Sequence, residues 1–161
     1  MDLGALLEAL ERSSLAGAMK HSLWLYPIVE TVHIVGFALL VGAVAAFDLR
    51  LLGFARSTSI RALERSLLPW AWVALLLIVP TGVAMFTTHA MDFAANLAFR
   101  LKLVLLAAAG LNALLFHAGV FRSVAAWDQH VPTPRAAKAS AVLSLAIWVG
   151  VIACGRLIAY V

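Results

Sequence analysis

Four apolar stretches, each long enough to cross a bilayer, constrain this chain more than any other feature. They run over approximately residues 23–49, 68–89, 99–121 and 139–160. Crossing the ~30 Å of hydrocarbon takes about 20 helical residues at a rise of 1.5 Å each. Inside lipid there is no water to satisfy backbone donors and acceptors, and a helix satisfies them within the segment. The expected fold is all-α: a single domain over 1–161, built as a four-helix transmembrane bundle. Composition agrees. Hydrophobic residues make up 64% of the chain and charged residues 12%, against about half and about a quarter in soluble domains.

The connections are short and informative. Residues 3–12 form a fifth, amphipathic element, with Leu3, Leu6, Leu7 and Leu10 on one side and Glu8, Glu11 and Arg12 on the other. It is too short to span, so it either lies in the membrane interface or packs on the end of the bundle. No cleavable signal peptide is expected, because the first residues carry Asp2 where such a peptide has basic residues. Pro132 and Pro134 make the third connection a loop, and Pro80 falls inside the second span, where it is expected to kink the helix.

Charge sets the expected orientation. Arg50, Arg56, Arg61 and Arg65 lie around the first connection, and Arg122, Arg135 and Lys138 around the third. The other side has Arg12, Lys20, Arg100, Lys102 and Arg156. The positive-inside rule puts the first and third connections in the cytoplasm and both termini outside, in a bacterial inner membrane. Trp24, Tyr26 and Tyr160 then anchor the outer interface, and Trp70 and Trp72 the inner one. The net charge of +4 reflects these loops and not a nucleic-acid surface. The single Cys154 excludes an internal disulfide and a multi-cysteine metal site.

Against this apolar background Glu30 and His33 stand out, three residues apart within the first span. Ionisable groups in hydrocarbon are costly and mark sites or pair with one another. Depth counting places Glu30, His33, Lys102, Arg156 and His89 in one outer layer drawn from four helices, with Glu30 expected to pair with Lys102 or Arg156. A second layer toward the inner side holds Asp48, Arg50, His117 and Arg122, with Asn112 between the two; Asp48 and Arg50 either cap the helix end or belong to this layer.

Two chemistries fit a histidine-bearing membrane bundle. One is haem b, with His33 as an axial ligand, His117 or His89 as the next, Glu30 orienting His33 or tuning its charge, and Lys102, Arg156 or Arg100 neutralising the propionates. The small residues Gly36, Gly110 and Ala113 would leave room for the ring, although they equally serve close helix packing. His33 and His117 differ in depth by ~12 Å. An outer haem therefore pairs His33 with His89 or His21, and an inner one pairs His117 with His130. A bound metal would draw on His33, His117 and His89, or on Glu30, His33 and His89. The other chemistry is a proton or ion relay through Glu30, His33, Lys102 and Arg156. A histidine that only hydrogen-bonds neighbouring helices remains open for each of these positions. A di-iron site is not expected, because such sites need about four carboxylates and two Glu-x-x-His motifs, and this chain has one motif. No nucleotide-binding loop, nucleophile triad or phosphate cradle is present, so no catalytic residue is assigned.

The segment Glu30-Thr-Val-His33-Ile, then Gly42 and Asp48-Leu49-Arg50-Leu51-Leu52-Gly53, resembles an uncharacterised bacterial integral-membrane family of unknown function. So do Lys102 with Asn112 and His117, and Ser144-Leu145 with Trp148 and Gly155-Arg156. The resemblance covers about 22–161 and implies a four-helix membrane fold. More loosely, the layout is similar to small membrane cytochromes b and to copper-resistance D-type membrane domains. That likeness implies a haem-b-binding protein moving electrons to or from a quinone or a redox partner protein. A transporter-like protein, or a structural subunit of a homo-oligomer or larger complex, is the alternative.

Overall fold

The structure is a computed structural model that describes residues 2–160. Among these residues it is helical throughout, with no strand. Two short helices lead the chain, α1 over Leu3–Glu11 and α2 over Ser14–His21. Four long apolar helices follow: α3 over Leu25–Leu52, α4 over Ile60–Thr88, α6 over Leu97–Ala118 and α7 over Arg135–Leu157. A one-turn helix, α5 (Ala90–Ala95), joins α4 to α6, and a 3-10 turn over Val120–Ala126 follows α6. Each long helix is apolar and long enough to cross a membrane. The protein is a multi-pass membrane protein whose outward faces meet lipid.

Local chemistry explains the ends. Ser59 caps α4 by accepting the Ala62 N–H, Asn96 caps α6 by accepting the Phe99 N–H, and Ser13 caps α2 in the same way. The α4 helix starts at Ile60 and not near 68, because its first turns carry Arg61, Glu64 and Arg65, which hydropathy alone does not read as helix. It runs unbroken through Pro69 and Pro80. The separate helix α2 has no counterpart in the hydropathy pattern. The α3 helix ends at Gly53, whose φ of 110° places it in the left-handed region while the Gly53 and Phe54 N–H groups close on the Arg50 and Leu49 carbonyls.

The long helices pack in the order α4, α3, α7, α6. The α3 helix lies against α4 and α7, α7 lies against α6, and α4 and α6 flank the row without an extensive contact of their own. The α3–α4 seam is the closest. A Cβ on Gly36 would sit 3.1 Å from the Ile78 and Leu77 side chains and 3.3 Å from the Ala74 carbonyl oxygen. Two buried clusters stack along the row. One, at mid-depth, holds Leu40, Ala74, Ile147, Trp148 and Val151, with Phe37 set edge-on to Trp148 at 5.9 Å. The other, at the end formed by the first and third connections (the loop end), holds Leu51, Ile60, Phe116, Val124, Trp127 and Ala141. At the opposite, terminal end, Phe86, Phe93 and Phe99 stack at 5.5–6.2 Å and join α4, α5 and α6. Here α1 and α2 rest on α4 and α5, with Ala16 and Met19 buried and Glu11 accepting the Met91 N–H. The N-terminal amphipathic helix thus packs on the end of the bundle.

The loop end is held by two charged residues. Arg50 is 3% exposed, and its guanidinium donates to the carbonyls of Thr58 (2.7 Å), Arg56 (3.2 Å) and Asp128 (2.7 Å). It therefore ties both connections to α3 and makes no ion pair with Asp48. The Asp128 carboxylate accepts from the Ser59 hydroxyl (2.8 Å) and the Arg61 N–H (3.0 Å), so the third connection caps α4 a second time.

Two outcomes follow. Replacing Gly36 with Leu forces α3 from α4 and should destabilise the protein by about 1–3 kcal/mol, read as a lower melting temperature in detergent. Desolvation raises the Asp128 carboxyl, but the bonds from Arg61, Ser59 and Ile60 and the Arg61 charge outweigh it and hold the group below the usual carboxylate range. A depressed folded value means the stabilisation is complete above the ordinary aspartate range, about pH 4, and is lost as pH falls through the lowered folded value. Thermal melts across acidic pH should show that loss in the wild type and a flatter profile in Asp128→Asn.

Candidate functional site

His33 lies on the α3 seam toward the terminal end, half-buried. Its Nδ1 stands 2.9 Å from the Thr81 hydroxyl oxygen and 3.2 Å from the Ile78 carbonyl oxygen. The single Thr81 hydroxyl proton is directed to the carbonyls of Leu77 and Ile78, one turn back on α4. The Thr81 oxygen and the Ile78 carbonyl are therefore both acceptors toward His33, and Nδ1 carries the proton. In the neutral ring Nε2 is then a lone pair, and no hydrogen bond among the described residues engages it. Gly82 makes the ring's position possible, since a Cβ there would meet the His33 Cε1 at 3.1 Å.

Lys102 approaches from α6. It is half-buried, lies beside Cys154, and sits where a Cβ on Gly155 of α7 would be 3.6 Å from its Nζ. Lys102 and Glu30 are the charged groups that act on His33. Glu30 itself is exposed, and its charge also reaches Tyr26. The four long helices thus contribute His33, Thr81 with Gly82, Lys102 and Gly155 to one layer. The aromatic stack of Phe86, Phe93 and Phe99 lies toward the terminal end, and Phe37 with Trp148 toward the bundle middle.

The expected ion pair of Glu30 with Lys102 or Arg156 does not form. The one ion pair among the described residues joins Arg12 to Glu8 at 3.4 Å. The Arg156 guanidinium donates to the Tyr160 hydroxyl and lies over its ring at 4.7 Å, because Tyr160 follows one turn later on the same face. The histidines do not gather either. His89 ends α4 in an exposed position and bonds Thr88 through Nδ1 at 3.1 Å. His117 is exposed on α6, with Nδ1 against its own Ala113 carbonyl at 2.8 Å and its ring against Phe116 and Phe121. His21 and His130 are exposed at opposite ends. No three His, Cys, Asp or Glu side chains among the described residues could share a metal ion.

Compared with known families, residues 9–161 match the family of unknown function DUF6644. The chain belongs to that family. The resemblance carried by Glu30, His33 and the Asp48–Gly53 segment thus points to a real family of membrane proteins. No curated protein and no solved structure matches the DUF6644 chain.

Thr81 and Gly82 went unread in the sequence. Their only signal was the Pro80-Thr81-Gly82 run inside an apolar span, where a threonine can turn its hydroxyl to its own helix and a glycine admits a neighbouring ring. In 15N-labelled protein above the histidine titration range, His33 should carry its proton on Nδ1 and show an unprotonated Nε2. Thr81→Val should weaken that preference. An Nε2-protonated His33 would sink the tautomer assignment.

Proposed function

We propose that this membrane protein binds haem b through His33 and moves electrons to or from a quinone or a redox partner protein. The observation that carries the reading is the imidazole fixed at Nδ1 by Thr81 and Ile78, with its Nε2 lone pair unengaged. An axial ligand needs that arrangement: a neutral ring, oriented by a bond on its far nitrogen.

The surrounding residues fit the same group. Gly82 and Gly155 let the His33 ring and the Lys102 amine approach α4 and α7 closely. Lys102 offers a cation without a counter-ion, suited to a propionate, and Arg100 and Arg156 sit toward the same end. When bound, haem supplies a one-electron couple. The protein's part is to orient His33, hold charge with Lys102 and keep water out with its aromatic rings. His89 and His117 are exposed and bonded elsewhere, so a single histidine from this chain serves the ring. The arginine-rich loop end favours placing the first and third connections in the cytoplasm of a bacterial inner membrane, with the site near the outer face.

A second reading is a proton or ion relay through Glu30, His33 and Lys102, and the half-buried, unpaired Lys102 favours it. The layer of Phe37, Leu40, Trp148 and Val151 argues for electrons instead, since an apolar barrier stops ions but not electron transfer.

Spectra of detergent-purified protein, supplemented with haemin and then reduced with dithionite, separate the two. A Soret band that shifts on reduction is expected. It should vanish in His33→Ala, persist in His89→Ala and His117→Ala, and bind roughly 10–100-fold more weakly in Thr81→Val. Protein that stays colourless, with liposome ion flux abolished by Glu30→Gln, would transfer the assignment to the relay.

A further inference from the structure

Among the described residues Asp48 is the one carboxylate buried in the bundle, one turn inside the loop end of α3. It is 5% exposed, and its Oδ2 is sealed from solvent without a hydrogen-bond partner. The Ser144 hydroxyl of α7 faces it across the α3–α7 contact. One turn earlier on α7, Ser140 bonds Asn112 of α6 twice, its hydroxyl donating to Oδ1 at 3.0 Å and its carbonyl accepting from Nδ2 at 3.1 Å. Asp48, Ser144, Ser140 and Asn112 thus form a polar rung through α3, α7 and α6 between the two apolar clusters.

No cation balances Asp48. Arg50, two residues on, is turned to the carbonyls of Thr58, Arg56 and Asp128. From α4, α6, α7 and the 3-10 turn no charged side chain of the described residues acts on it, and Ser144 is the polar group that does. An unpaired carboxylate in such surroundings costs far more than a neutral acid. A metal ion would need several ligands from the protein, and among the described residues no three acidic, His or Cys side chains group with Asp48 to supply them.

We propose that Asp48 is a proton-binding site: the folded bundle carries it as the neutral acid against Ser144, and the proton leaves only when the α3–α7 contact opens. The chemistry is a proton added to one carboxylate oxygen, with no change of oxidation state. Asp48 stands roughly 22 Å along α3 from His33, so the site is independent of the haem reading. Because the bound proton belongs to the folded state, folding should weaken as pH rises through ionisation of Asp48.

Infrared spectroscopy of the full chain in lipid tests this directly. At mildly acidic pH, above the ordinary aspartate range of about 4, the wild type should show the C=O stretch of a protonated carboxylic acid. Asp48→Asn, which keeps the shape without the charge, should lose that band and lose the decline in stability that the wild type shows as pH rises from the acid side. Ser144→Ala removes the facing hydroxyl and should shift the band. This second variant decides the question if Asp48→Asn fails to fold. No such band at mildly acidic pH, or a band that Ser144→Ala leaves unmoved, would overturn the proposal.

Discussion

The seam between α3 and α4 organises the rest of the molecule. Helices in lipid gain little from burying apolar surface against each other, so close approach and backbone contact decide which ones associate. Gly36 and Gly82 permit that approach, one from each helix. Between them lies His33, whose bonds to Thr81 and to the Ile78 carbonyl are the polar link of the pair. The same contact that joins the helices therefore also fixes the tautomer of the imidazole. A structural role for His33 and a ligand role do not compete, because the packing uses Nδ1 and leaves Nε2.

The two ends of the bundle are held by different means. The loop end is polar and over-determined: Arg50 gathers three carbonyls from two connections, and Asp128 caps α4 from the far side of the sequence. The terminal end relies on apolar contact, with three stacked phenylalanines and the buried Ala16 and Met19 of α2. One hydrogen bond, from the Met91 N–H to Glu11, links α1 to α5 there. Packing without directional bonds is easier to displace, and it lies over the end nearest His33.

Much of this architecture was legible in the sequence, for an identifiable reason. Hydrocarbon leaves a chain few choices, so the four long apolar stretches gave the four long helices with only their polar first turns, such as Arg61 to Arg65, left out. His33 and Lys102 were legible as well, since ionisable residues inside a span are costly wherever they point. Partners were not. Glu30 was expected to seek Lys102 or Arg156, yet Tyr160 lies one turn from Arg156 and engages it, and Glu30 faces outward. Residue depth follows from counting along a helix, but rotation about its axis follows from packing, and the sequence carries that only weakly. Thr81 and Gly82 were missed for the same reason, because their importance depends on which helix faces them.

Rotation also separates what depth alone would merge. Asp48 and Arg50 are two residues apart and nearly level, yet one faces Ser144 within the bundle and the other faces the loops. Asp48 is thereby denied the cation nearest to it in sequence, and that separation leaves a proton as its simplest partner. Between this rung and the His33 layer stand Phe37, Leu40, Trp148 and Val151, a layer without an ionisable side chain. Among the described residues no side-chain hydrogen bond joins Asp48 to His33 across that layer. The two layers are therefore best understood as separate devices on one scaffold: a proton site set by exclusion of counter-charge near the loops, and an oriented imidazole set by helix contact near the termini.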